Sequence, residues 1–178
     1  IEKIKELEHE GYSFEGADAS LELMLRDALG EETQIFRLES FKILVEKAGD
    51  RLVSEAIVKL DVGGDIVFTA AEGNGPVNAL DNALRKALIQ YYPEIANIVL
   101  TDYKVRVLDE KDATASKVRV LIETSDFKNS WNTVGVSSNV IEASWEALVD
   151  SFRYALLNSE KKPSVKEDRR EQVGIVNH

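Results

Sequence analysis

Hydrophobic residues follow two different periods along this chain, and the change of period divides it. In residues 1–32 the apolar positions recur at helical spacing, in two short segments that glycines terminate. Asp18 or Ser20 is a suitable N-cap for the second segment. The apolar face of that second segment comprises Leu21, Met24, Leu25, Ala28 and Leu29. From Thr33 onward apolar and polar residues alternate, which indicates strands with one buried face. We therefore predict a helical connector over residues 1–32 and a separate domain over residues 33–157.

Three strands and one helix are predicted at the start of that domain. The first strand alternates apolar and polar residues from Phe41, and tight turns at Gly49 and Gly63 separate it from two more. A glycine-rich turn then leads into a helix, for which Pro76 suits the first position. The apolar positions of this helix are Val77, Leu80, Ala83, Leu84, Ala87, Leu88 and Tyr91. They fall on one face, which predicts that the helix covers the sheet.

The same order of elements is repeated in the second half of the chain. Tyr103–Val107 mirrors Phe41–Val45 at an offset of 62 residues. Val118–Val120 mirrors Val58–Leu60 at an offset of 60, which predicts a shorter first turn in the second copy. The sequence therefore predicts an α+β fold of two pseudo-symmetric β-β-β-α units. Each unit leaves edge strands that pairing between chains would remove, so we expect a homodimer.

The second helix is predicted to run from about Asn139 to Leu157. Asn139 followed three residues later by Glu142 is typical of a capping box. In the repeat, Gly135 corresponds to Gly75, and Ala143 and Ala147 correspond to Ala83 and Ala87. The inner stripe comprises Ile141, Ser144, Trp145, Leu148, Phe152, Ala155 and Leu156. Residues 158–178 are charged, and we predict a mobile tail there.

Composition excludes several classes of function. The net charge of −10 argues against nucleic-acid and anionic-membrane partners, and the chain contains no cysteine. Its two histidines, His9 and His178, stand near the ends, so no nucleophilic triad or histidine-rich metal site can be assembled. We therefore predict no catalytic site and no metal site within the chain. Because it begins at Ile1 with a helical pattern, we also expect it to be a fragment of a longer protein.

The turn at Gly73-Asn-Gly75 admits two interpretations. It is not a nucleotide-binding fingerprint, because Asn78 stands where a third glycine would be needed. One interpretation is a plain strand-to-helix connection; the other is a helix start whose N–H groups hold a carboxylate. Repetition of the module favours a matched pair of small-anion sites, which suits a zwitterion. Trp131 and Trp145 are predicted to be core residues.

Three long segments carry a family resemblance. Glu72–Leu84, Asp102–Asp109 and Thr133–Trp145 resemble the C-terminal allosteric domain of the isopropylmalate synthase/citramalate synthase family. Tyr12–Ser20 is similar to the connector that precedes it in the citramalate branch. The resemblance implies a parent acyltransferase that condenses acetyl-CoA with a 2-oxo acid in a metal-dependent TIM barrel. That barrel is absent here, so the chain would need no cofactor of its own and would be inactive alone.

The resemblance also implies a cytoplasmic dimer that binds a branched-chain amino acid for feedback inhibition. Its pocket would comprise Gly73, Gly75, Val77, Asn78, Leu100, Tyr103, Val107, Ala113, Ala115, Val136 and Ser138. Asn78 and Ser138 depart from the residues usual in isopropylmalate synthases, which favours isoleucine over leucine. Two alternatives stay open: a dimerisation module without an effector, and an enzyme fragment in which His9 and Tyr12 complete a partner barrel's active site.

Overall fold

The computed structural model describes residues 2–108 and 116–159. The helices are α1 (Glu2–His9), α2 (Asp18–Ala28), α3 (Pro76–Leu88) and α4 (Val140–Leu157), with a 3-10 turn at Pro93–Asn97. The strands are β1 (Arg37–Ala48), β2 (Arg51–Val62), β3 (Asp65–Gly73), β4 (Val99–Leu108), β5 (Lys117–Ser125) and β6 (Ser130–Ser137). The predicted α+β fold of two β-β-β-α units behind a helical segment is confirmed. Apart from Asn158 and Ser159, the tail predicted to be mobile lies outside the described residues, as do Ala113 and Ala115.

Each unit contains a three-stranded antiparallel sheet, ordered β1-β2-β3 and β4-β5-β6. The first strand of each sheet has an irregularity near its start, between Leu38 and Ser40 and between Leu100 and Asp102. These two irregularities are 62 residues apart, which confirms the predicted offset for the first strands.

The predicted offset of the remaining elements is wrong. Phe41 pairs with Val58, and its equivalent Tyr103 pairs with Ile122, so the second strands are related by 64 residues and not by 60. The second copy therefore has a connection two residues longer, not shorter, between its first two strands. A period of two in strands is unchanged by a slip of four residues, so the alternation could not distinguish the two offsets.

The helices obey the same offset of 64. The Thr69 hydroxyl donates to the Ala83 carbonyl at 2.8 Å, and the Thr133 hydroxyl donates to the Ala147 carbonyl at 2.7 Å. Ala147 thus corresponds to Ala83, and by the same offset Ala143 corresponds to Ala79. Gly135 corresponds to Ala71, whereas the equivalent of Gly75 is Asn139. The predicted equivalences failed because alanines recur every four residues in both helices.

Helices α3 and α4 lie in one core that both units share. The Phe41 ring packs on Trp145 with ring centroids 5.4 Å apart, and the Arg85 guanidinium lies 5.0 Å from the Phe152 ring centroid. Each of these contacts joins the first unit to the second. Both tryptophans are 7% exposed, which confirms that they are core residues.

The N-terminal helices pack on the outer face of the second sheet. Phe14 and Ala17 form a small apolar cluster with Val134 and Val136 of β6, on the face opposite α4. The Arg119 guanidinium Nε donates to the Gly11 carbonyl at 2.7 Å. The connector therefore covers a sheet face that would otherwise expose apolar side chains to water.

The predicted N-cap of α2 is wrong. The capping position is Ala17, which has no side-chain oxygen to offer, and Asp18 is already the first helical residue. Ser20 lies inside the helix, where its hydroxyl accepts from the Val134 backbone N–H at 3.0 Å and donates to the Asp150 carboxylate at 2.8 Å. A predicted cap thus serves instead to satisfy an unpaired N–H group at the edge of β6.

The predicted apolar face of α2 is wrong in part. Leu25 and Leu29 are 46% and 79% exposed, whereas Ala19, Ser20 and Leu23 are buried. The helix is therefore rotated relative to the stripe of large apolar residues, because its close contact with α4 and β6 requires small side chains. Within the described residues, no helix is long and apolar enough to cross a membrane.

Candidate functional site

A cavity of about 490 Å³ lies between the first turns of α3 and the beginning of β4. Its walls comprise Val77, Asn78, Asp81, Arg85, Ile98, Val99, Leu100 and Tyr103. Four of these were predicted for an effector pocket, namely Val77, Asn78, Leu100 and Tyr103. The cavity therefore lies between the helix of one unit and the first strand of the other.

The start of α3 is left open beside this cavity. Its N-cap is Gly75, in extended backbone with φ −169°, and no side chain caps the helix. Pro76 has no N–H group, so the first donors without an intrahelical acceptor are those of Val77 and Asn78. Both residues line the cavity. The Asn78 side chain is engaged elsewhere, since its Oδ1 accepts from the Asn74 N–H at 3.1 Å.

The start of α4 differs, because it caps itself. The Asn139 Oδ1 accepts from the Ile141 N–H at 2.8 Å, and Ile141 corresponds to Val77. The Asn139 cap is thus confirmed, but Glu142 does not complete a capping box. It accepts from the Ser137 hydroxyl at 2.6 Å, and that hydroxyl accepts from the Asn139 N–H at 3.1 Å. The matched pair of anion sites is therefore wrong, because the side chain of the second copy occupies its own helix start.

The two glycines of the turn have separate structural roles. A Cβ on Gly73 would lie closer than 3.0 Å to the backbone of Asn78 and Ala79, so this glycine lets the strand end approach the helix closely. A Cβ on Gly75 would meet nothing within 4 Å. Neither glycine lines the cavity, so their assignment to an effector pocket stays a prediction.

The remaining predicted site residues lie elsewhere. Val107 is 61% exposed and near the end of β4, and Ser138 is exposed between β6 and α4. Val136 is buried on the outer face of the second sheet, against the connector. The structure thus brings four of the predicted residues into one cavity and does not bring these three to it.

Sequence reasoning missed two residues of the cavity, Asp81 and Arg85. Asp81 is 7% exposed, and its Oδ2 accepts from the Arg85 Nε at 2.9 Å. The rest of the guanidinium donates to the carbonyls of Ile95 and Ile98. Asp81 Oδ1 is buried and has no hydrogen-bond partner. An acidic and a basic residue at i, i+4 on a buried helix face was the signal that could have identified them.

A second cavity is related to the first by the internal repeat. It has a volume of about 710 Å³ and lies between α4, β1 and the end of the connector. By the offsets above, its Leu38 corresponds to Leu100, while Trp145 and Val149 stand where the first cavity has Asp81 and Arg85. The two cavities therefore share position and differ in charge.

Two buried carboxylates of α4 hold the connector in place. Glu146 accepts from the Tyr12 hydroxyl at 2.9 Å and from the Val136 N–H at 3.0 Å. Burial raises the pKa of both Tyr12 and Glu146. The Tyr12 hydroxyl is therefore engaged within this chain. Among the described residues, no group of three His, Cys, Asp or Glu side chains could hold a metal ion.

Asp150 should make docking of the connector depend on pH. Burial raises its pKa to about 6 from 3.8, against the opposing hydrogen bond from Ser20 and the charge of Arg153. Between these pKa values the unfolded chain binds fewer protons than the folded one, so stability falls as pH rises. Raising the pH from 5 to 7 should lower the free energy of unfolding by about 1–2 kcal/mol more in the unmodified chain than in Asp150→Asn.

Urea denaturation at both pH values and at one protein concentration measures this difference. Glu146 titrates in both proteins, so its contribution cancels in the comparison. The same pH dependence in the two proteins would show that Asp150 is not the group responsible.

Comparison with known proteins agrees with this architecture. A family model described as the LeuA allosteric (dimerisation) domain matches residues 15–156. The chain is 52% identical over 163 residues to an (R)-citramalate synthase of Geobacter sulfurreducens, which is 90% of this chain and 31% of that protein. It is 51% identical over 164 residues to an (R)-citramalate synthase of Aquifex aeolicus, again 31% of the relative. A 2-isopropylmalate synthase of Shewanella woodyi is 32% identical over 127 residues, which is 71% of this chain and 22% of that protein.

The chain thus spans about a third of the length of the citramalate synthases that it matches. The matched range contains both β-β-β-α units and the cavity between them. The resemblance that three sequence segments suggested is confirmed. The chain belongs to the LeuA allosteric (dimerisation) domain family and is a regulatory and dimerisation domain of the citramalate synthase type.

Proposed function

We propose that this domain binds a branched-chain amino acid, isoleucine, in the cavity between α3 and β4. The observation that carries this proposal is the uncapped start of α3, whose free N–H groups belong to residues that line the cavity. A helix start of this kind attracts a carboxylate through its N–H groups and its dipole. Similarity to citramalate synthases supports isoleucine, and leucine is the alternative that the more distant isopropylmalate synthases support.

The other walls of the cavity suit an aliphatic side chain. Leu100, Ile98 and Val77 supply apolar surface. Tyr103 closes the wall from β4, and its hydroxyl donates to the Ser144 Oγ at 2.9 Å, because that hydroxyl itself donates to the Val140 carbonyl. Tyr103 thereby connects the cavity of the first helix to the start of the second. Binding that moves Tyr103 would be felt by α4.

In the parent protein this domain would regulate a catalytic barrel. We propose a cytoplasmic homodimer in which the barrel, outside this chain, condenses acetyl-CoA with pyruvate using a divalent metal. The connector, docked on the second sheet and on α4, would transmit the effector's presence. Isoleucine can shift the enzyme towards an inhibited arrangement only by binding that arrangement more tightly.

Isothermal titration of this domain with isoleucine, leucine and valine tests the proposal. We expect isoleucine to bind with the highest affinity and Leu100→Trp to abolish binding by filling the cavity. The matched control is Leu38→Trp, at the equivalent position of the second cavity, which should leave binding intact. No binding of any of the three at millimolar concentration would overturn the proposal. If the chain then still forms a concentration-dependent dimer, it is a dimerisation module without an effector.

A further inference from the structure

We infer that Asp81 receives the ammonium group of the amino acid, so that each chain has one site that requires both charges of a zwitterion. This inference rests on the proposed function and names the residue that would make the cavity selective for amino acids over their uncharged or oxo-acid analogues.

The first argument is the unpaired oxygen of Asp81. The side chain lines the cavity, is 7% exposed and has one carboxylate oxygen with no hydrogen-bond partner. A buried carboxylate oxygen without a donor is unfavourable, because it has lost its water and gained nothing. The terminal torsion of an aspartate is broad, so a modest rotation turns this oxygen to the cavity while the other keeps Arg85. A ligand N–H donor would then satisfy it.

Arg85 does not remove the need for such a donor. Its Nε donates to Asp81 Oδ2, and its other nitrogens donate to the carbonyls of Ile95 and Ile98. Its guanidinium also lies against the Phe152 ring. Arg85 is thus fixed on one side of the carboxylate, and the unpaired oxygen is left for a second cation.

The second argument is the position of Asp81 along α3. Val77 and Asp81 are one turn apart on the same face, and side chains of a helix lean towards its N-terminus. The Asp81 carboxylate is therefore directed back towards the free N–H groups of Val77 and Asn78. A carboxylate and an ammonium group on one carbon atom match this neighbouring pair of seats.

The third argument is the second cavity, which lacks both seats. Asn139 occupies its helix start, and Trp145 stands at the position equivalent to Asp81. The same backbone scaffold thus carries the two groups that bind a zwitterion in one copy and neither of them in the other. This predicts one amino acid bound per chain and not two.

Two comparisons by isothermal titration test the inference. In the unmodified chain, isoleucine should bind with a stoichiometry of one per chain, and 3-methyl-2-oxopentanoate, which lacks the ammonium group, should bind at least tenfold more weakly. Asp81→Asn keeps the shape of the side chain and should weaken isoleucine at least tenfold while leaving the oxo acid unchanged. Asp102→Asn, a matched charge change next to Tyr103 at an exposed ion pair with Lys104, should alter neither affinity.

The outcomes separate this inference from the proposed function. Equal affinity of Asp81→Asn and the unmodified chain for isoleucine would overturn the inference and leave the proposed function standing. If the variant does not fold, equal affinity of the unmodified chain for isoleucine and the oxo acid overturns the inference. Two isoleucines per chain would also contradict it, and no amino-acid binding at all would overturn both proposals.

Discussion

Gly135→Ala is expected to lower the free energy of unfolding by about 3 kcal/mol. A Cβ at this position would lie closer than 3.0 Å to the Ala143 carbonyl and 2.9 Å from the Glu146 Cβ. The first of these neighbours is helix backbone, which cannot move aside without shifting α4 from its sheet. Overpacking of this kind in a buried site costs one to three kcal/mol, or more where backbone must move. Urea denaturation at fixed protein concentration measures the loss.

The internal repeat supplies matched controls for this prediction. Ala71 is the equivalent of Gly135 and already carries a Cβ, so Ala71→Gly should cost only about 1 kcal/mol, as expected of glycine in a strand. Gly75→Ala should also cost no more than about 1 kcal/mol, because a Cβ there meets open space and alanine is only a poorer N-cap than glycine. A Gly135→Ala protein as stable as either control would show that α4 is not held closely against β6.

The fold could be predicted from the sequence because its main features are periodic. Alternation identified the strands, helical spacing identified α3 and α4, and the repeat identified the two units. The register between the copies could not be predicted, since alternating strands and alanines at every fourth residue look the same after a slip of four. Pairing of Tyr103 with Ile122 settled it.

Half of the cavity could be predicted, and the reason lies in the kinds of residue involved. Val77, Asn78, Leu100 and Tyr103 belong to segments that resemble a known family. Asp81 and Arg85 attracted no attention because charged residues on a helix are usually exposed. Their burial depends on the second unit, which places Ile95, Ile98 and Phe152 around them. Likewise, Ser20 has the composition of a cap but contacts β6 and α4, a tertiary role that local sequence does not encode.

Arg85→Met is expected to destabilise the domain by about 3–5 kcal/mol, the range seen when one partner of a buried ion pair is removed. The methionine keeps apolar contact with Phe152 but leaves Asp81, which is 7% exposed, without any cation. It also leaves the carbonyls of Ile95 and Ile98 without their guanidinium donors. Because the larger part of this cost comes from the stranded carboxylate, the double variant Arg85→Met/Asp81→Asn should recover part of the loss.

Urea denaturation of the single and double variants at one protein concentration tests this coupling. The matched control is Arg26→Met, since Arg26 and Glu22 form an i, i+4 ion pair like Arg85 and Asp81 but with side chains 28% and 40% exposed. That change should cost less than about 1 kcal/mol, as surface ion pairs do. If Arg85→Met costs no more than Arg26→Met, or if Asp81→Asn restores nothing, Arg85 does not compensate a buried charge. The cavity wall would then have to be rigid for another reason, since the same guanidinium joins α3 to the segment that precedes β4.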